Sequence, residues 1–167
     1  MALRDIRLVP DPVLRVVCDP VLVFDDALRD LTADMLDTMY AAPGRGLAAP
    51  QIGVTARVFV MDTTWKDGHP DPLVCVNPEI MATSLDEVVL EEGCLSIPDQ
   101  TVHVARPAKV SLRWQDTGGV QHLASFEGFG AACVQHELDH LNGIVTFDRL
   151  GPKARAVAET QFSETQR

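Results

Sequence analysis

The chain has 167 residues, 46% of them hydrophobic and 23% charged, the size and balance of one ordinary globular domain able to bury a core without disulfides. Against 24 acidic residues stand 14 basic ones, for a net charge of −10. That balance argues against nucleic-acid binding through a general basic surface, and no apolar run approaches the roughly 18 residues of a membrane span. The opening MALRDIRLVPDP carries Arg4, Asp5 and Arg7 where a secretory leader would have an apolar core. Cys18, Cys75, Cys94 and Cys133 are therefore expected to be reduced thiols of a cytoplasmic protein.

Pro10, Pro12 and Pro20 restrict the first twenty residues to an extended arm with one short helical turn near Val13–Val17. The first helix is predicted from Asp26 to Tyr40, where Leu28, Leu31, Met35 and Met39 form one apolar stripe. Asp25 and Asp26 suit its positive end, and Pro43 and Gly44 stop it. A glycine-rich connector, GRGLAAPQIG, follows at 44–53. Strands are predicted at 56–62, 73–77, 85–92, 102–105, 108–114 and 119–126, with a hairpin turn at Asp116–Gly119. A second helix runs from Gly128 to Leu141 and ends at Gly143. The remainder after Leu150 reads as a weak helix fraying into a polar tail. Strands grouped between two strong helices indicate an α+β fold rather than alternating βαβ units.

The chemistry concentrates in His136-Glu137-Leu138-Asp139-His140, an HExxH pattern inside the second helix. Residues i and i+4 share a helix face, so both imidazoles can reach one metal ion while Glu137 stands beside it to exchange protons with water. The competing reading is two unrelated polar residues on a solvated face. Phe129, Ala132 and Cys133 on that same face oppose it. A catalytic site of this kind needs a third protein ligand. Cys94, Cys133, His103, His122 and the carboxylates are all candidates. Cys94 is the most attractive, because it lies in EEGCLSIP after a strand and Gly93 permits a sharp turn there; a lone cysteine is otherwise more often a buried core thiol. The glycine-rich connector lacks phosphate-loop spacing, but Gln51 within it supplies an uncharged amide donor. Glu91 or Glu92 is expected to form an ion pair or support a ligand, with Arg106 as partner.

Three segments in this order, GRGLAAPQIG at 44–53, EGCLS at 92–96 and QHELDH at 135–140, resemble the signature motifs of peptide deformylases. PDPVLRVVCDPV, VNPEI, RPAKV and HLNGIVTFDRL extend the resemblance across about residues 5–150. It implies one catalytic domain over 1–167, with 151–167 a short polar tail, and antiparallel strands in small sheets around the HELDH helix, with an N-terminal helix before them. It implies removal of the formyl group from N-formylmethionyl nascent peptides, releasing formate. Cys94, His136 and His140 would hold one divalent ion, Fe2+ natively, with Zn2+, Ni2+ or Co2+ as substitutes. Glu137 would be the proton carrier, and Gln51 with the Leu95 backbone N–H the oxyanion donors. Arg45, Gly46, Leu90, Phe129, Ala132 and Cys133 would form the substrate pocket. A cytoplasmic monomer with at most a weak ribosome contact is expected, without direct nucleic-acid or membrane binding. Arg45 stands where the family usually carries an aliphatic residue, and Thr101 where many members carry arginine. The alternative expectation is thus a metal-dependent amidase or peptidase of altered side-chain specificity.

Overall fold

Asp25 starts the first helix: its carboxylate accepts the Leu28 backbone N–H at 3.1 Å, satisfying one of the amides that a helix start leaves unpaired. In the computed structural model, which describes residues 2–167, this helix, α1, spans Asp26–Ala41. Leu28, Met35 and Met39 are buried, as the stripe predicts. They pack on β1 (Gly46–Ala48) and β2 (Val58–Met61) through Leu47, Val58 and Val60. The chain continues through β3 (Leu73–Thr83), β4 (Glu87–Cys94), β5 (Ile97–Pro107), β6 (Lys109–Gln115) and β7 (Gln121–Glu127). Helices α2 (Gly128–Leu141) and α3 (Pro152–Thr165) complete it.

Every pairing between these strands is antiparallel. Five strands form one sheet in the order β1-β2-β3-β6-β7, and β4 and β5 form a separate hairpin. The expected α+β architecture is present, with α2 packed against both sheets. The Asp116–Gly119 segment does join β6 to β7: one Asp116 carboxylate oxygen accepts the N–H groups of Gly118 at 2.9 Å and Val120 at 3.1 Å. No helix among the described residues is long and apolar enough to cross a membrane.

Four elements depart from the sequence reading. The glycine-rich connector contains a strand, β1, at the edge of the large sheet. Both β3 and β5 run to 11 residues. In β3, Pro78 has no N–H to contribute, and the register against β6 shifts between Val76 and Glu79. Asn77 at φ 50° uses its side-chain amide to hold Val21 of the N-terminal arm, at 2.7 and 2.9 Å. The fourth departure is the tail. It forms the 14-residue α3, which buries Ala158 and Phe162 against Leu14, Ile97, Val145 and Phe147. Two apolar residues one turn apart suffice to dock it, too few to register as periodicity.

From Ala131 to Leu141, every residue of α2 is buried, so each polar side chain there needs a partner inside the protein. Gln135 donates from its amide to the carbonyls of Pro107 and Ala131, both at 3.0 Å. The other partners belong to the site.

Two outcomes are expected. Replacing Phe162 by Ala opens a cavity under α3 and lowers the unfolding free energy by about 3–5 kcal/mol, measurable by urea denaturation; an unchanged midpoint would show that α3 does not dock. Asp148 is clamped by Arg15 and by Arg155. Burial alone would raise its pKa, but Arg15 and the Val145 N–H outweigh that and hold the carboxyl below its ordinary value. A depressed carboxylate stabilises the fold above the unfolded pKa near 4 and loses that contribution as pH falls through the folded value. The stability gap between the natural chain and Arg15→Ala should therefore be full at pH 6 and close on acidification below about pH 4.

Candidate active site

Three segments far apart in sequence meet at one cavity of about 520 Å³. They are β1 with the short 3-10 turn Ala49–Ile52, the β4–β5 hairpin, and α2. Gly46 makes the approach possible. A Cβ there would run into Glu137 Oε2 and lie 3.1 Å from Cys133 Sγ, so only a glycine lets β1 pass this close to α2. Gly93 has no such duty: an added Cβ would make an ordinary 3.7 Å contact with Thr101. The turn that presents Cys94 comes instead from the register jump after Gly93, which brings Cys94 opposite Ile97.

The metal-binding atoms of Cys94, His136 and His140 lie within 4.8 Å of one another. Cys94 Sγ is 3.4 Å from His140 Nε2. His136 places its Nδ1 3.1 Å from Glu92, which leaves Nε2 to face the other donors. His103 and His122, the other histidine candidates, are exposed on β5 and β7.

Two cysteines border the cavity, and their environments push them in opposite directions. Burial alone would raise the Cys94 thiol, but the two imidazoles outweigh it and hold it well below its ordinary value. Cys133 is pushed well above by burial and by the nearby Glu137 and Glu92 carboxylates. Geometry separates them as well: Cys94 Sγ lies among the imidazole donors, whereas Cys133 Sγ lies 3.7 Å from the Arg45 carbonyl oxygen. All four cysteines are unpaired.

Glu92 is fixed in turn by Arg106, at 2.6 and 3.0 Å. Burial opposes the charge on Glu92, but His136 and Arg106 outweigh it and keep the carboxyl ionised below its usual range. The other arm of Arg106 holds Asp139 at 2.9 Å, and Arg149 closes on the same carboxylate at 2.5 and 2.9 Å. The expected Glu–Arg106 contact is therefore Glu92's. Asp139 and Arg149 were not anticipated, although an aspartate inside a buried helix demands a cation.

Gln51 is 1% exposed. Its Oε1 accepts the Ala48 N–H at 2.9 Å, and its Nε2 donates to Ser96 Oγ at 3.0 Å and reaches Cys94 Sγ at 3.6 Å. Ser96 was another omission. Glu137 is buried with Oε1 lacking any hydrogen-bond partner. Burial raises its pKa, against the pull of His136 and His140. Leu95, Arg45, Gly46, Phe129, Ala132 and Cys133 line the cavity beside Gln51, Cys94, His136 and Glu137. Leu90 does not line it; it stands on β4 opposite Val104, so its place in the pocket wall is corrected. Phe129 is 46% exposed at the rim.

The donor set fits a divalent cation. A thiolate and two imidazoles suit a borderline-soft ion. Three protein donors with an unpaired carboxylate alongside is the count of a catalytic centre, since structural sites close with four. The arrangement defines a metallohydrolase centre. Comparison with known proteins narrows the class: residues 3–156 match the family model for polypeptide deformylase. A peptide deformylase of Phenylobacterium zucineum is 49% identical over 158 residues, covering 95% of this chain and 94% of that one. One from Rhizobium meliloti is 43% identical over 164 residues, covering 98% and 94%. The crystal structure of a peptide deformylase from Legionella pneumophila superposes with a TM-score of 0.92 at 42% identity, covering 99% and 96%. That of Synechococcus elongatus in complex with actinonin gives 0.91 at 38%, covering 96% and 88%. The chain belongs to the polypeptide deformylase family.

Removing a ligand's orienting partner typically costs about 10–100-fold in metal affinity. Glu92→Ala should show that loss in a chelator competition while its α2 stays helical by circular dichroism; unchanged affinity would disprove the orienting role.

Proposed function

We infer that this protein is a metal-dependent hydrolase that removes the formyl group from N-formylated nascent peptides and releases formate. The observation that carries this reading is the clustering of Cys94, His136 and His140 beside a cavity that Cys94 and His136 line together with Glu137 and Gln51. In the residue roles proposed here, Cys94, His136 and His140 hold the ion. Ferrous iron is the proposed native species, with zinc, nickel or cobalt accepted by the same nitrogen and sulfur donors. When bound, the ion supplies Lewis acidity, which acidifies water and polarises a carbonyl.

Glu137 takes the proton of the water that attacks the formyl carbon. It returns that proton to the peptide nitrogen as the carbon–nitrogen bond breaks, so formate leaves and the peptide keeps a free amino terminus. Its buried, unpartnered Oε1 supports this role. As the formyl oxygen gains charge, the side-chain amide of Gln51 and the backbone N–H of Leu95 donate to it. Gln51 is suited because its amide Nε2, which donates to Ser96 Oγ at 3.0 Å, also reaches Cys94 Sγ at 3.6 Å and so stands beside the metal donors. The peptide extends along the edge strand β1 near Gly46, pairing backbone to backbone. The first side chain enters among Phe129, Ala132 and Cys133.

A ribosome contact through α3 would rest on Lys153, because Arg155 is committed to Asp148 and Glu159; the contact proposed is accordingly weak. The protein is proposed to act as a cytoplasmic monomer, where nascent chains emerge.

Metal-loaded protein should release formate from formyl-Met-Ala-Ser. Glu137→Gln should keep its metal by elemental analysis and lose about 10²–10⁴-fold in turnover. Full activity in that variant would remove Glu137 from its role, and cleavage of unformylated peptides without formate would overturn the reaction.

A further inference from the structure

Arg45 lines the cavity and has no part in the mechanism. It is half-buried, and its backbone carbonyl is fixed by the Asp62 N–H at 2.9 Å, so the residue is held at the lip by β1. Its guanidinium lies over the Phe129 ring at 5.3 Å. Its Nε is buried without a hydrogen-bond partner, and among the described residues no carboxylate pairs with it. A guanidinium offers five donors in a planar fork matched to a carboxylate, and leaving a buried donor unmet is costly. Lys66 lines the same cavity, its ammonium resting over Trp65. Trp65 is tied back to Gly44 by a 2.9 Å hydrogen bond, which keeps this lysine at the rim near β1. Of the acidic groups that line the cavity, Glu137 stands beside the metal donors, and none forms an ion pair with Arg45. Glu92 is ion-paired, Glu91 accepts the Thr101 hydroxyl, and Asp99 belongs to the β5 wall.

We propose that Arg45 is a specificity residue that selects substrates carrying a carboxylate close to the formylated residue. The inference rests on the deformylase reading above. The carboxylate has two possible sources, an acidic side chain one or two residues into the peptide or the terminal carboxylate of a very short substrate. Either would accept the unpartnered face of the guanidinium, with Lys66 adding attraction. The Phe129 ring holds the guanidinium plane in place, so little side-chain freedom is lost on binding.

Formate release by the metal-loaded chain tests this with matched substrates. Formyl-Met-Asp-Ser-amide and formyl-Met-Ala-Asp-amide are set against formyl-Met-Ala-Ser-amide. Formyl-Met with a free carboxylate is set against formyl-Met-amide, which separates the two sources. In at least one pair the acidic member should be favoured roughly 10- to 100-fold in kcat/KM, mostly through KM. That preference should shrink in 0.5 M salt, be lost in Arg45→Met and be partly kept in Arg45→Lys. Equal rates within every pair would overturn the proposal while leaving the deformylase reading intact, as would a preference that survives in Arg45→Met. Should Arg45→Met fail to fold, Arg45→Lys and the salt series decide in the same way. Absence of formate from every formylated substrate would overturn the deformylase reading, and the selectivity with it.

Discussion

Arg106 is 4% exposed and sits between two carboxylates, Glu92 on β4 and Asp139 on α2. A guanidinium removed from water survives only with its donors met, and the same condition binds each carboxylate. The ion-pair chain therefore does more than join the hairpin to the helix. It fixes their relative height, because a slip of either element would strand a charge in the interior. Glu92 can then aim its second contact at His136 Nδ1, so that the ring presents its other nitrogen to Cys94 and His140. The position of a donor on α2 is thus set by a residue on another element. Breaking one link would cost more than the bond itself, since the surviving partner would be left buried and unpaired.

The same economy governs charge at the centre. Glu92, Asp139, Arg106 and Arg149 balance one another, so this network makes no net demand on its surroundings. Cys94 is different. Its sulfur faces two imidazoles and the amide of Gln51, a mixed donor set suited to a cation. Glu137, one residue along from His136, is buried and yet lacks a partner on Oε1. Such a group is destabilising to the fold, and its tolerance is intelligible where the carboxylate exchanges protons during reaction. Stability and chemistry are thus divided along α2: one side is fully paired, the other is left short of partners.

Much of this was legible in the sequence, for identifiable reasons. The apolar stripe of α1, the alternation in β6 and the i, i+4 histidines of α2 are local periodicities, and local periodicities survive without knowledge of the partner. What failed to register depends on contacts across the chain. The strand β1 is short and begins at Gly46, a residue of poor strand propensity that is there because Glu137 lies against it. Residue spacing alone left several third donors open, and the decision between Cys94 and Cys133 came from what surrounds each sulfur. Leu90 was placed in the pocket wall by the family resemblance; it shares the β4 face of Glu92 and Cys94 but lies four residues before Cys94, opposite Val104, outside the cavity lining. The tail was underrated because its docking needs only Ala158 and Phe162, whose buried partners Leu14, Ile97, Val145 and Phe147 lie in three other segments.

Net charge says little about selection at the cavity. At physiological salt the screening length is about 8 Å, so the −10 of the whole chain fades before it reaches a group bound at the lip. The nearest charges decide instead, and they are divided by element: Arg45 and Lys66 come with β1 and the segment after β2, Glu91 and Asp99 with the β4–β5 hairpin. None of the four contributes an atom to the metal donors. The donors are locked by the buried network on β4 and α2, while Arg45 and Lys66 hang from elements outside that network. A change at position 45 can therefore alter which peptide is held without moving the sulfur or the imidazoles, and selectivity can vary in this fold independently of the reaction it serves.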